Sequence, residues 1–311
     1  MTRGEEGVTS DAPGRETVAP PVPGETWTVL RMIRWSGQYL EEKGIRDGRR
    51  DAEHLLSETL GLARLDLYLQ FDRPLTPEEL AAYKPLLLRR AEREPLQHVL
   101  GHMAFRELEL TVDRRALIPR PETEELVGAV LEWADGLGRS GLTALDVGTG
   151  TGAIALSLAL EGPFERVVAT DPSVEALELA ARNREAADLE ALVELRKGSF
   201  FDPVPPGEEF DVVVSNPPYV AETDESGLEP EVREWEPRQA LFAGSEGLAV
   251  LLPLIEGAPR VLRTGGLLAL EMAPGQAGAV AAAVRRTKTF DEPRVRMDLA
   301  GRERILLAAR L

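Results

Sequence analysis

From about residue 140 onward, short apolar runs alternate with longer stretches of helical period. Runs at 142–147, 166–171, 191–196, 210–215, 266–272, 293–299 and 303–309 have the length and composition of strands. Segments near 151–162, 173–186, 246–262 and 275–287 fit helices between them. Such alternation predicts an α/β fold with a doubly wound, mostly parallel sheet and helices on both faces. The last two strands follow one another without a helix, so antiparallel pairing at or near an edge is expected.

The pattern upstream is different. Between 26 and about 95 the period is helical, with Trp27, Leu30 and Ile33 on one stripe and Gly44 as a stop. Ala52, Leu55, Leu56 and Leu60 form a second stripe closed by Gly61. Thr76-Pro77-Glu78-Glu79 reads as a capping box with proline at the first helical position. The helix after it carries Leu80, Leu86 and Leu87, and Pro85 predicts a kink or break within it. These stripes imply a small helical domain with its own core, and nothing in it points to catalysis. Across 96–120, Leu108, Leu110 and Val112 alternate with polar residues, and Met103 to Phe105 can pair with them as a hairpin. Two prolines then lead into a helix of about 122–135. Residues 1–25, rich in Pro, Gly, Glu and Thr, lack apolar periodicity and are expected to be disordered. The resulting division is a 1–25 tail, a 26–95 helical domain, a 96–120 hairpin linker and a 121–311 α/β domain.

Composition narrows the chemistry. The 311 residues are 43% hydrophobic and 29% charged, which is ordinary for a globular chain. A net charge of -17 disfavours a free nucleic acid partner, because phosphate binding needs concentrated basic surface. Without cysteine, disulfides, thiolate metal sites and thiol nucleophiles are excluded. His98 and His102 are four apart with Gly101 between them in a loop-like stretch, so hydrogen bonding outweighs metal ligation and no metal is expected. No run approaches the roughly 18 apolar residues of a membrane span, and the first residues lack a signal-peptide pattern. A cytoplasmic protein is the default.

Two motifs carry chemistry. The run 142–147 leads into Gly148-Thr149-Gly150-Thr151-Gly152, and a helix opens at Ala153. Glycines there allow a tight turn and close approach of a ligand to the backbone. Asp171 ends the next strand, where a carboxylate can accept both hydroxyls of a ribose. Gly148-x-Gly150-x-x-Ala153 also satisfies the dinucleotide fingerprint, so the loop alone says nucleoside cofactor. Asp146 just before it leans toward S-adenosylmethionine, which has no pyrophosphate and needs no open anion site. The second motif is Asn216-Pro217-Pro218-Tyr219, directly after the strand 210–215 and at the same rim. The bland reading is a proline turn with a packing tyrosine. The functional reading concerns a planar NH₂ group, whose delocalised lone pair is a poor nucleophile. The Asn216 side-chain oxygen and the Pro217 carbonyl could each accept one of its hydrogens in a fixed direction. Tyr219 could stack on the flat target and approach a sulfonium.

With these motifs in view, the chain resembles the protein-(glutamine-N5) methyltransferases of peptide chain release factors, the HemK/PrmC type, from about residue 30 to the end. Besides the two motifs, the resemblance is carried by Glu94-Pro95-Leu96-Gln97-His98-Val99-Leu100-Gly101, by Leu117-Ile118-Pro119-Arg120-Pro121-Glu122-Thr123-Glu124 and by Glu236-Pro237-Arg238-Gln239-Ala240-Leu241. It implies a Class I methyltransferase fold with a seven-stranded sheet, a helical N-terminal domain and a hairpin linker. It further implies S-adenosylmethionine as cofactor and class 1 release factors as protein substrates, methylated on the glutamine of their Gly-Gly-Gln loop in support of translation termination. A monomer without direct nucleic acid or membrane contact is expected. By this resemblance Gly148, Thr149, Gly150, Thr151, Gly152 and Asp171 hold the cofactor and Phe200 flanks its adenine. Asn216 touches both cofactor and substrate, and Asn216 to Tyr219 hold the glutamine amide. The family often has an acid where this chain has Ser199, and Asp202 is a candidate to compensate. An adenine-N6 nucleic acid methyltransferase is the alternative, because the same logic suits any planar NH₂. A dinucleotide-dependent reductase lacks a following catalytic Tyr-Lys or histidine arrangement.

Overall fold

The computed structural model describes residues 26–311, so the expected disorder of 1–25 lies outside the described residues. Contacts divide the chain into two units, Met1–Val99 and Leu100–Leu311.

The first unit is helical: α1 (Val29–Glu42), α2 (Gly48–Leu60), α3 (Arg64–Leu69) and α4 (Pro77–Ala91), with α5 (Leu96–Leu100) spanning the division. The buried stripe of α1 is Val29, Met32, Ile33, Ser36, Gly37 and Leu40, whereas Trp27 precedes the helix and Leu30 is half-buried. Gly61 closes α2 in the left-handed conformation at φ 61°. Thr76 caps α4 through the reciprocal bonds of a capping box. Of the kink or break expected at Pro85, a break does not occur: α4 runs on through it. Pro85 and Ala81 both face solvent, so water can satisfy the Ala81 carbonyl that proline leaves without a donor. On the inner face, a buried pair between Arg90 Nε and Asp51 Oδ2 at 2.7 Å ties α4 to α2.

The second unit begins with the hairpin β1 (His102–Phe105) and β2 (Leu108–Thr111). Its apolar side, Phe105, Leu108 and Leu110, joins the same core as the helices and sheet that follow. Next come α6 (Pro121–Gly136), β3 (Leu142–Val147), α7 (Ala153–Glu161), β4 (Phe164–Asp171), α8 (Val174–Ala186), β5 (Val193–Lys197) and β6 (Phe210–Ser215). Two short helices, α9 (Pro230–Trp235) and α10 (Arg238–Leu241), lead to α11 (Leu251–Gly257), β7 (Leu262–Glu271), α12 (Ala277–Thr287), β8 (Arg294–Met297) and β9 (Glu303–Ala309). The helix expected over 246–262 shrinks to α11 plus a 3₁₀ turn at Ala258–Arg260. Pro253 and Pro259 confine each helical piece to a short segment.

The seven-stranded sheet has the order β5-β4-β3-β6-β7-β9-β8. The first five strands in this order run parallel, while β9 pairs antiparallel with both β7 and the edge strand β8. Side chains alternate between two cores, as the pleat requires: Leu267 and Ala269 face one, Leu268 and Leu270 the other. All six residues of β3 and of β6 are buried. The order in which strands are added reverses between these two parallel neighbours, because β4 and β5 lie to one side and β7 to the other. Their carboxyl ends therefore open a crevice at a topological switch point.

Candidate active site

That crevice holds a cavity of about 270 Å³. The glycine loop after β3 forms one wall. Gly148, Gly150 and Gly152 have φ of 78°, 57° and 87°, a left-handed region that penalises any Cβ. The loop is pinned from within. Gly148 and Thr149 amides donate to the Thr170 carbonyl at 2.8 and 2.9 Å, and the Gly152 amide donates to Thr149 O at 2.9 Å. The Gly150 amide donates to Asp171 Oδ2 at 3.0 Å. Asn183 braces the far side, its Nδ2 donating to the Thr151 carbonyl at 2.9 Å and its Oδ1 accepting from the Thr111 amide at 2.8 Å.

Two aspartates lie under this loop with different duties. Asp146 is fully buried and accepts from the Thr149 hydroxyl at 2.6 Å. Burial pushes its carboxyl up to about 7, against the Thr149 hydroxyl and the Ala155 amide, which favour the charged form. A carboxylate thus sits at the start of α7, where a phosphate would otherwise bind. Asp171 faces the cavity, with Oδ1 accepting from the Ser173 amide at 2.8 Å. Burial raises its carboxyl too, opposed by the Gly150 and Ser173 amides. Each of its oxygens keeps a lone pair beyond the amide it accepts from.

Asn216 stands opposite the loop, one residue after β6. Ser215 Oγ donates to the Val147 carbonyl at 2.6 Å, which fixes this strand end against β3. Asn216 Nδ2 donates to Thr123 Oγ1 at 3.0 Å, while Asn216 Oδ1 is buried without any hydrogen-bond partner. Asn216 lines the cavity, and a buried acceptor left orphaned there is costly unless a ligand supplies the donor. Pro217 and Pro218 share the wall and keep the backbone stiff.

Of the residues singled out from the sequence, Gly148, Thr149, Gly150, Thr151, Asp171, Phe200, Asn216, Pro217 and Pro218 line the one cavity. Phe200 does so at φ 49°, a strained conformation for an aromatic residue. Gly152 instead caps α7 behind the loop. Tyr219 does not face the cavity: its ring packs against the α11–α12 core and its hydroxyl donates to Glu271 Oε1 at 3.2 Å. Ser199 lines the wall, but Asp202 is exposed and does not compensate for the missing acid. Sequence reasoning passed over Thr123, Glu271, Asn183 and Gln276. Gln276 Nε2 donates to the Tyr219 carbonyl at 3.1 Å and to the Gly247 carbonyl at 3.2 Å, which holds the loop after Pro218. It also passed over the pair Arg120–Glu236, at 2.6 Å, which joins the segments bearing Pro119 and Pro237 on the cavity rim.

The chain can be set beside known proteins. Residues 31–101 match the family model described as PrmC N-terminal domain, and residues 135–229 match the methyltransferase small domain. The release factor glutamine methyltransferase of Geobacter sulfurreducens is 44% identical over 267 residues, covering 86% of this chain and 92% of that protein. The chain belongs to the release factor glutamine methyltransferase family. That of Moorella thermoacetica is 41% identical, covering 91% and 99%. That of Rhodopirellula baltica is 37% identical, covering 90% and 95%. The protein is therefore a methyltransferase, and membership in this family disfavours the adenine-N6 alternative. Among solved structures, the hMettl16 catalytic domain in complex with an RNA hairpin superposes with a TM-score of 0.54 at 15% identity, over 88% of this chain and 91% of that one. The Thermus thermophilus 16S rRNA N2 G1207 methyltransferase, solved with AdoMet and guanosine, gives 0.50 at 18% identity over 68% and 50%. At these identities the likeness is one of fold, that of Class I methyltransferases.

Proposed function

We propose that this chain transfers a methyl group from S-adenosyl-L-methionine to the side-chain nitrogen of the glutamine in the Gly-Gly-Gln motif of class 1 peptide chain release factors. The observation that carries the reading is the orphaned Asn216 Oδ1, a neutral buried acceptor on a residue that lines the cavity. A primary amide NH₂ satisfies it, and a hydroxyl-free apolar ligand does not.

The cavity suits the methyl donor. A Cβ at Gly148 would enter open space, so the bare backbone leaves room for a ligand against the loop. The loop amides of Gly148, Thr149, Gly150 and Gly152 are already spent on protein acceptors, and Asp146 occupies the anion position. A pyrophosphate would find few free donors and a carboxyl group already in its place, whereas a sulfonium ligand meets neither problem. Gly148 to Thr151 would hold the donor, with Asp171 on its ribose and Phe200 beside its base. When bound, it supplies an electrophilic methyl group on a positively charged sulfur.

The protein's own part is positioning. Asn216 Oδ1 would accept one hydrogen of the substrate NH₂, and the Pro217 carbonyl would accept the other. Two acceptors in fixed directions favour a nitrogen that turns pyramidal as its lone pair is used. No charged base is required before transfer, because the nitrogen becomes acidic only once it carries the methyl group. Release factors act in translation, which places the reaction in the cytoplasm.

The test is mass spectrometry of a release factor incubated with the protein and S-adenosylmethionine. One added methyl group on the Gly-Gly-Gln glutamine is expected. No modification there, with methyl transfer to adenine in added nucleic acid, overturns the reading.

A further inference from the structure

The end of Asn216 that faces the cavity decides whether the site accepts or donates. Its amide has nearly the same shape either way round. We propose that Thr123 and Glu271 are positioning residues that fix this amide with its oxygen toward the substrate, a role that rests on the methyl-transfer reading above.

The argument follows the hydrogens. Thr123 Oγ1 lies 2.8 Å from Glu271 Oε2 and 3.0 Å from Asn216 Nδ2. A hydroxyl has one hydrogen and two lone pairs. Once ionised, Glu271 only accepts, so the Thr123 hydrogen goes to it. The lone pairs of Thr123 are then left facing Asn216, which must answer with its NH₂. Tyr219 donates to the other carboxylate oxygen, Oε1, so Glu271 is loaded with donors on both sides. Polarity thus runs from carboxylate to hydroxyl to amide and ends at the cavity. Three separate elements supply the chain: the first turn of α6, the end of β7 and the segment after β6. Glu271 is fully buried and Thr123 nearly so, which leaves the hydroxyl no competing bulk water. The position of Tyr219 gains a purpose here, as a donor to the carboxylate rather than a wall of the cavity.

The experiment compares Thr123→Val, Thr123→Ser and Glu271→Gln with the wild-type chain, measuring kcat and KM on an intact release factor, cofactor affinity by calorimetry, and Tm. Thr123→Val keeps the shape but removes the hydroxyl, and kcat should fall about tenfold or more with cofactor affinity unchanged. Thr123→Ser restores the hydroxyl and should recover most of that loss. Glu271→Gln can donate through its Nε2 to Thr123, which reverses the chain and lets Asn216 turn its NH₂ to the cavity. That variant should bind a release factor whose motif glutamine is replaced by glutamate better, relative to the native one, than wild type does. A merely structural role would not move that preference. A Thr123→Val enzyme with wild-type kcat, or a Thr123→Ser enzyme as impaired as Thr123→Val, overturns the proposal. An unaltered preference in Glu271→Gln does so as well, even if a threonine variant fails to fold. A wild-type chain that methylates no release factor refutes the functional reading instead, so the two failures are distinguishable.

Discussion

Removing the Asn216 side chain separates the chemistry from the fold. In Asn216→Ala two things are lost: the orphaned Oδ1 that would accept from the substrate, and the 3.0 Å bond from Nδ2 to Thr123. The second is an ordinary internal hydrogen bond, worth about 1 kcal/mol net. In a chain of this size it should lower Tm by about 2–4 °C. The first acts on the transition state. Deleting one preorganised hydrogen-bonding group from a dry site typically costs about 2.7–4 kcal/mol, or 10²–10³ in kcat. Because the substrate nitrogen uses its lone pair only during transfer, the loss should fall on kcat, with KM changed far less. The assay is initial-rate transfer of a radiolabelled methyl group to an intact release factor, over a range of substrate concentrations. Calorimetric titration with S-adenosylmethionine and a thermal melt on the same preparation serve as controls. A folded variant with kcat within threefold of wild type would falsify the role given to Asn216.

Asp171→Ala removes the acceptor of the Gly150 and Ser173 amides as well as the carboxylate facing the cavity; cofactor affinity should fall at least about tenfold by calorimetry, the loss of a charge-assisted partner. Gly247 has φ 70°, and a Cβ there would overlap the Tyr219 carbonyl and lie 2.7 Å from Gln276 Nε2, so Gly247→Ala should reduce both Tm and kcat by displacing the segment that carries Pro218. Burial pushes Glu271 up to about 7, against the Thr123 and Tyr219 hydroxyls and Arg304, with Glu122 adding to the rise. A raised folded-state value makes its contribution to stability full below the ordinary carboxylate range and lost as pH rises through about 7. Melts of wild type and Glu271→Gln across pH 4–8 should therefore show the wild type losing ground to the variant by up to about 3 kcal/mol as pH rises, and a constant gap would refute the linkage.

The framework was legible because its signals are local. Six buried residues in β3 and in β6, glycines at left-handed φ and an acid at the end of β4 each announce themselves within one element. The rim positions of the glycine loop and of Asn216 then follow from parallel topology alone. What stayed hidden depends on contacts across long sequence separations. Thr123 and Glu271 stand 148 positions apart, and Thr123 and Asn216 stand 93 apart. In sequence, Thr123 is one polar residue in the first turn of a helix and Glu271 an acid ending an apolar strand. Solvent exposure would be the default for each. The ring of Tyr219 suggested a stacking surface, yet its hydroxyl partner on the neighbouring strand turned it inward. The same contact explains why a costly buried carboxylate persists. An apolar residue at 271 would pack β7 more stably, since a buried charge must recover its lost hydration through hydrogen bonds. It would also leave Thr123 without an acceptor and Asn216 free to turn. The rise in pH that weakens the fold through Glu271 is the same one that ionises it, so directing the amide and stabilising the sheet make opposite demands on a single proton.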